Sequence, residues 1–411
     1  MSEIVLVNVT GSDRPGITAS LTAIMGRYHL NVLDIGQAVI HDNLAWGMLV
    51  EIPPQASDSA LFKELMFEAH RLGLNMHVTP VSEAEYSRWV GQQGRSRHVI
   101  TVLGKQIRAE HICRVAELIA VGGLNIDRIN RLSGRALLST PEHKRRAAID
   151  FHVRGDVKDL SVMHATFLQL SQSLDIDVAI QEDNVFRRNR RLVCFDMDST
   201  LIQNEVIDEL ARVAGVGDEV GRITARAMAG ELDFKESFTR RLALLRGLGE
   251  EELEKVAESV RVTDGAEALV RTLKHYRFRT AIISGGFTWF ARRLKERLGI
   301  DYVYANELEI VDGRLTGKVV GEIIDEDRKA ELLCTIAERE GIRLEQVIAV
   351  GDGANDLKML SIAGLGIAFR AKPVVRRQAR LALGASSLDS ILYLIGMRER
   401  DFRHLPETAS T

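Results

Sequence analysis

The chain has 411 residues, which at roughly 100–200 residues per domain allows two to four domains. It is 45% hydrophobic and 27% charged, with 33 glycines and only 7 prolines, which excludes a collagen-like or proline-rich disordered chain. The formal net charge of −3, from 54 basic and 57 acidic residues, supplies no field for gripping a phosphate backbone, so nucleic acid is not expected as a partner.

The N-terminal stretch MSEIVLVNVTGSD is apolar but lacks a basic leader and is interrupted by Glu3 and Asp13, so it reads as a first β-strand rather than a signal peptide. No uncharged apolar run approaches the ~18 residues of a membrane span, and no membrane partner is expected. Cys113, Cys194 and Cys334 are too scattered for a disulfide framework or a zinc site, which fits a reducing cytoplasm.

After the first strand, Ile4 to Val9, an amphipathic helix is expected over Ile17 to Tyr28. The segment that follows it, Leu30-Asn31-Val32-Leu33-Asp34-Ile35, recurs about 94 residues later as Leu124-Asn125-Ile126-Asp127-Arg128-Ile129. The second copy is likewise preceded by a strand, Val99 to Leu103, and a helix, His111 to Val121. Beyond the match the first copy continues with strands 32–40 and 45–52, a helix 59–72 and a strand 74–79. The second copy continues with strands 126–132 and 147–153, a helix 158–171 and a strand 176–180. Both orders are βαββαβ, the ferredoxin-like unit, with one sheet face or edge left free to pair. Gly91 to Arg97 is the expected linker between copies, and the polar, basic 183–191 segment is the expected boundary to the second half.

Between strand and helix the first copy carries Thr10-Gly11-Ser12-Asp13-Arg14-Pro15-Gly16. Proline and glycine at a helix start are ordinary punctuation, while the exposed N–H groups there also suit a carboxylate ligand. The strand–DRPG–helix pattern followed by Leu-Asn-Val resembles ACT domains, small-molecule regulatory modules that commonly bind amino acids between paired copies. The resemblance implies a regulatory ligand, L-serine or another amino acid, at Asp13, Gly16 and Asn31, and a homodimer. The second copy has Gly104-Lys105-Gln106-Ile107 at this turn, without Arg-Pro-Gly, and a structural role is open there.

From Arg191 the pattern changes. Leu192-Val193-Cys194-Phe195 is a continuous apolar run, as in a parallel strand buried on both faces, and it ends in Asp196-Met197-Asp198-Ser199-Thr200. Two carboxylates two residues apart at a strand end project to the same side, beyond the carboxyl edge where open α/β sheets place their sites. A pair of turn-capping aspartates would explain this segment taken singly. A second strand ends in Ser284-Gly285-Gly286, a hydroxyl and two glycines suited to cradling phosphate oxygens. A third, Val347 to Val350, opens into Gly351-Asp352-Gly353-Ala354-Asn355-Asp356, whose oxygen ligands suit a hard cation such as Mg²⁺. Between them Lys329 stands near an expected helix start, an ordinary place for a surface charge.

The order DMDST…SGG…K…GDGAND resembles the haloacid dehalogenase superfamily of phosphotransferases over roughly residues 190–395. The resemblance implies a Rossmannoid parallel α/β sheet, with Asp196 as nucleophile forming an aspartyl-phosphate and Asp198 as general acid and base. It implies Mg²⁺ held by Asp196, Asp352 and the backbone carbonyl of Asp198, with Asp356 supporting that shell. Ser284, Gly285 and Lys329 would meet the phosphoryl oxygens, and Asn355 the substrate or phosphate.

Residues 205–262 are helix-patterned and fit a small helical cap. The run from Asp196 to Glu205, the segment from Ala227 to Phe234 and the segment from Ser237 to Leu242 narrow the resemblance to the phosphoserine phosphatase family. That implies hydrolysis of O-phospho-L-serine, the last step of serine biosynthesis. Glu205 would face the ammonium and Arg241 the carboxylate, while Met228 and Phe234 form an apolar lid. A surface ion pair and ordinary core packing would account for these residues without the resemblance. Phosphothreonine or phosphohomoserine would suit the same anchors, and an amino-acid sensor with a vestigial phosphatase is the reading from a different class. The expected division is therefore 1–90, 97–182, 190–398 and a flexible tail 399–411.

Overall fold

The computed structural model describes residues 3–54, 58–137, 139–141, 146–228 and 231–405. The chain divides into two compact units, Met1–Arg95 and Ser96–Thr411.

The first unit runs β1 (Glu3–Ser12), α1 (Ile17–Arg27), β2 (Asn31–Ile40), β3 (Asn43–Ile52), α2 (Asp58–Arg71), β4 (Leu74–Val81) and α3 (Glu83–Gly91). Its antiparallel sheet has the order β2-β3-β1-β4, as the repeat predicts. Val5, Val7 and Val9 alternate inward and meet Leu21 and Ile24 of α1 and Leu61 and Leu65 of α2. Strand β2 is an exposed edge, with Ile35 and Ile40 at 52% and 78% exposure. Helix α3 was not expected, yet Ser82 and Glu85 form a reciprocal capping box at its start (Glu85 N to Ser82 Oγ 3.3 Å, Ser82 N to Glu85 Oε2 2.9 Å).

The second unit opens with the other βαββαβ copy: β5 (Arg97–Gly104), α4 (Ala109–Val121), β6 (Asn125–Arg131), β7 (Ala147–Arg154), α5 (Leu160–Leu174) and β8 (Asp177–Glu182). The sheet order, β6-β7-β5-β8, repeats that of the first unit. Here both faces are buried. Ile100, Val102, Phe151 and Ile180 meet Val115, Ile119 and Phe167 of the helices. Leu103, Ala148 and Ala179, on the opposite face, join the core of the parallel sheet that follows. The Asp177 carboxylate fastens this contact by accepting the backbone N–H groups of Gly384 (2.7 Å) and Ser386 (2.9 Å). Of the basic run Lys144-Arg145-Arg146 before β7, the first two residues lie outside the described residues, and Arg146 pairs with Asp389.

The remaining elements are β9 (Leu192–Phe195), α6 (Val206–Val213), α7 (Gly217–Met228), α8 (Phe234–Ala243), α9 (Glu250–Ser259), α10 (Ala266–His275), β10 (Arg279–Phe287), α11 (Thr288–Leu298), β11 (Tyr302–Val311), β12 (Arg314–Val320), α12 (Glu326–Arg339), β13 (Val347–Gly351), α13 (Leu357–Ile362), β14 (Leu365–Phe369), α14 (Pro373–Gln378), β15 (Leu381–Leu383), α15 (Ile391–Leu394) and α16 (Glu399–Phe402). The seven-stranded sheet has the order β12-β11-β10-β9-β13-β14-β15, parallel except for β12. Strand β9 lies between β10 and β13, where the strand order reverses, so the carboxyl ends of these three converge. Helices α6 to α9 cover the stretch expected as a cap. The β11–β12 hairpin was not foreseen, although Asp312-Gly313, both with positive φ (50° and 73°), is a two-residue hairpin turn. Residues 399–405, expected as the start of a tail, are folded instead: the Glu399 N–H bonds the Leu132 carbonyl at 2.9 Å and Leu405 is buried. Residues 406–411 lie outside the described residues.

Candidate active site

At the end of β9 the chain turns sharply through Asp196, Met197, Asp198 and Ser199, the last at φ 55°. The Asp196 N–H bonds the Val350 carbonyl (2.8 Å), locking the turn to β13, and Oδ1 of Asp196 accepts the Met197 N–H (2.8 Å). The Asp198 carboxylate accepts the Val206 N–H at 3.1 Å, tying the site to the first cap helix. A side chain at Gly286 would stand 2.6 Å from Oδ2 of Asp198, so only glycine lets β10 pass the second carboxylate. Ser284 is buried and its Oγ accepts the Gly286 N–H (2.9 Å).

Lys329, an expected surface charge unless the motifs acted together, is fully buried in the first turn of α12. Its Nζ lies 2.9 Å from Oδ1 of Asp196 and 2.7 Å from Oδ1 of Asp356. Burial alone would lower the lysine's pKa, but these two carboxylates outweigh it and hold the ammonium charged. Oδ2 of Asp356 accepts the N–H groups of Asp352 (3.1 Å) and Gly353 (2.9 Å), so this carboxylate is fully engaged. The Asp352 carboxylate makes no hydrogen bond or ion pair among the described residues. Burial, then the charges of Asp196 and Asp356, push it up to about 8. Carboxylate oxygens of Asp196, Asp352 and Asp356 lie within 4.8 Å of one another. A buried, unpaired carboxylate beside two others fits a hard divalent cation bound between Asp196 and Asp352.

A cavity of about 890 Å³ opens over this cluster toward the cap. Asp196, Asp198, Ser284, Gly285, Asp352 and Asn355 line its floor, and Glu205, Phe234 and Arg241 line it from the cap side. Asp198 is only half-buried because it faces the cavity. Enclosure on its other sides, then the charges of Glu205 and Asp196, raise its carboxyl well above the usual range. Glu205 accepts the Ser199 hydroxyl at 3.0 Å and is raised, mainly by burial. Burial lowers the Arg241 guanidinium. Phe234 stacks on Phe238 with centroids 6.1 Å apart. Met228 closes α7, and its side chain lies outside the described residues.

The three residues expected to hold a regulatory ligand are not brought together within the unit. Asp13 and Gly16 stand where β1 ends, beside Asp42, whose carbonyl accepts the Asp13 N–H (2.8 Å). Asn31 begins β2 opposite Glu51, at the other end of the sheet, and its Nδ2 bonds Oε2 of Glu51 (3.1 Å). Among the cavity residues with no assigned role are Ser237, within the Ser237 to Leu242 segment, and Lys372, which no pattern singles out. Lys372 is exposed, and its charge partly offsets the upward shift of Asp352 and Glu205.

Comparison with known proteins gives a haloacid dehalogenase-like hydrolase match over residues 193–361 and ACT domain matches over residues 3–79 and 96–181. The chain is 42% identical over 400 residues to a phosphoserine phosphatase of Streptomyces coelicolor, covering 96% of this chain and 93% of the relative. It is 38% identical over 394 residues to the phosphoserine phosphatase SerB2 of Mycobacterium tuberculosis, with the same coverage of 96% and 93%. The solved structure of a probable phosphoserine phosphatase from Vibrio cholerae matches 77% of this chain and 91% of its own, with TM-score 0.57 and 33% identity.

Proposed function

Because the chain belongs to the phosphoserine phosphatase family, with a haloacid dehalogenase-like hydrolase domain and two ACT domains, we propose that it hydrolyses O-phospho-L-serine to L-serine and phosphate, the last step of serine biosynthesis, with Mg²⁺ as cofactor. The observation that carries the substrate assignment is the pairing of Glu205 and Arg241 on the cap side of a cavity floored by Asp196 and Asp352. One acid and one guanidinium read the ammonium and carboxylate of an amino acid, while its phosphoester reaches the floor.

Asp196 is the nucleophile: its carboxylate forms a bond to phosphorus as the serine oxygen leaves, giving an aspartyl-phosphate that water then hydrolyses. The raised carboxyl of Asp198 carries the proton that the leaving oxygen requires. The same carboxylate, now deprotonated, takes a proton from the attacking water. Lys329, Ser284 and the N–H of Gly285 hold the phosphoryl oxygens, and Asn355 adds a polar contact on the floor. Asp196, Asp352 and the Asp198 carbonyl would hold Mg²⁺, which supplies positive charge between the phosphate and the carboxylate that attacks it. Asp356, engaged by Lys329 and two N–H groups, keeps the lysine and the Asp352 loop in place. Phe234 excludes water from the cap side.

Regulation belongs to the first ACT domain in this reading. Gly16, at φ 93°, begins α1 without a side-chain cap, leaving N–H groups beside Asp13 for an amino-acid carboxylate. The exposed edge of β2 supports assembly as a homodimer. Three free cysteines fit a cytoplasmic setting. Purified protein with Mg²⁺ should release phosphate from O-phospho-L-serine. Silence on that substrate, with turnover of other phosphomonoesters, would sink the assignment.

A further inference from the structure

Ser237 sits in the first turn of α8, 2% exposed, and it lines the cavity. Serine and threonine hydroxyls inside helices commonly turn back to the carbonyl four residues earlier. Thr239, two residues on, does so: its Oγ1 donates to the Lys235 carbonyl at 2.7 Å. The Ser237 backbone N–H bonds the Asp233 carbonyl (3.0 Å), but its hydroxyl has no hydrogen-bond partner among the described residues. An enclosed hydroxyl without a hydrogen bond is unfavourable in the empty protein, and a ligand that accepts from it removes that penalty.

What such a ligand presents follows from the neighbour. Arg241 is four residues along, so it shares the helix face of Ser237, and it lines the same cavity. The Nε of Arg241 is also buried without a partner among the described residues. A guanidinium and a hydroxyl one helical turn apart, both with unused donors, make a two-residue clamp for a planar anion. Phe234 and Phe238 stack beside them and keep bulk water off that side.

We propose that Ser237 is a specificity-determining residue, its hydroxyl donating to the substrate carboxylate that Arg241 holds. The inference rests on the phosphoserine reading above and deepens it: the site selects α-carboxylated phosphoesters over phosphorylated amines that lack the carboxylate.

The test compares wild type, Ser237→Ala, Ser237→Cys and Arg241→Ala with Mg²⁺, reading the KM for O-phospho-L-serine and the Ki of O-phosphoethanolamine as competitor. O-Phosphoethanolamine keeps the phosphate and ammonium and lacks the carboxylate. Ser237→Ala should raise KM about tenfold or more, as expected for losing a hydrogen bond to a charged group, with kcat within about threefold. The Ki for phosphoethanolamine should stay unchanged. The thermal midpoint should hold or rise, because no protein hydrogen bond is lost. Ser237→Cys, similar in size and a weaker donor, should fall between wild type and alanine. If Arg241→Ala separates the two ligands and Ser237→Ala does not, the clamp is refuted while the substrate reading survives. Equal losses on both ligands, or a lowered midpoint, would make Ser237 structural and overturn the inference. A wild type inert toward phosphoserine overturns this inference and the reading beneath it together.

Discussion

Replacing Asp177 by alanine removes the carboxylate that joins the second ACT domain to the loop after β15. That carboxylate is 2% exposed and accepts N–H groups from Gly384 (2.7 Å), Ala385 (3.2 and 3.3 Å) and Ser386 (2.9 Å). Hydrogen bonds to an ionised group are worth roughly 1.5–3 kcal/mol each. Gly384 is exposed, so water can take the place of the carboxylate there, whereas Ala385 is half-buried and Ser386 buried. The variant therefore loses about two such bonds, taken near the low end of that range because Ala385 is only half-buried, on the order of 3–4 kcal/mol. For a unit of this size the denaturant slope is roughly 3 kcal/mol per molar urea, which puts the midpoint about 1 M lower. Urea titration of the full chain followed by circular dichroism reads it directly. Asp177→Asn, which keeps one acceptor and turns an NH₂ toward a donor, should fall between the two. A shift under about 0.3 M for Asp177→Ala would mean that water substitutes at all three N–H groups, and the reasoning would fail.

Lys329→Met should lower kcat by about 10²–10³, the scale of losing one preorganised electrostatic donor, with circular dichroism unchanged; a loss within tenfold would remove Lys329 from the phosphoryl site. Chelation should abolish phosphate release and Mg²⁺ should restore it. At ~100 times its dissociation constant the ion should also stabilise the fold by about 2.7 kcal/mol, an effect that Asp352→Asn should weaken. Burial raises the Asp301 carboxyl, but bonds from Lys274 and from the N–H and hydroxyl of Thr280 outweigh it and leave it lowered. The stability from this group is complete above the unfolded value of about 3.9 and is lost as pH falls through the lower folded value. Asp301→Asn should therefore be less stable at pH 7 in thermal melts, with the gap to wild type closing below about pH 4. L-Serine titrated calorimetrically into Arg241→Ala, where the catalytic pocket is blunted, should still give heat, and Gly16→Ala in that background should remove it, because a side chain at φ 93° is strained. Persistence of the heat would place the ligand elsewhere.

The motifs were legible because each is contiguous and sits at a strand end. Asp196 and Asp198, Ser284 to Gly286, and Asp352 to Asp356 become one site because β9 lies between β10 and β13. The burial of Lys329 was not legible from α12 alone, since it depends on carboxylates from two other strands. Helix α3 has no buried residue and so no apolar stripe to read, which leaves its Ser82–Glu85 box as the sole signal. Asn31 looks adjacent to the Asp13 turn only in motif space; the helix between them returns the chain to the opposite end of the sheet. The cavity hydroxyl of Ser237 sat inside a recognised motif, but nothing in spacing distinguishes an unpartnered serine from one bonded back to its helix.

Two copies of one βαββαβ order have thus been put to different physical uses. In the first, β1 buries alternate residues only, β2 is an open edge, and α1 starts uncapped at Gly16. In the second, β5 is buried on both sides, and the N–H of Arg108, which precedes α4, is taken by Nδ1 of His111 at 3.2 Å. Its sheet also shares a core with the parallel domain through Leu103, Ala148 and Ala179. A ligand there would compete with core packing and the Asp177 bonds, whereas the turn from Ser12 to Gly16 is exposed. The clasped loop leads back through β15 and α14 to Lys372 at the cavity, so the second copy is placed to hold the site's shape. The ligand binding proposed for the first copy and the bracing by the second would draw on opposite properties of a sheet, free backbone groups and buried faces, and one copy of the fold cannot maximise both.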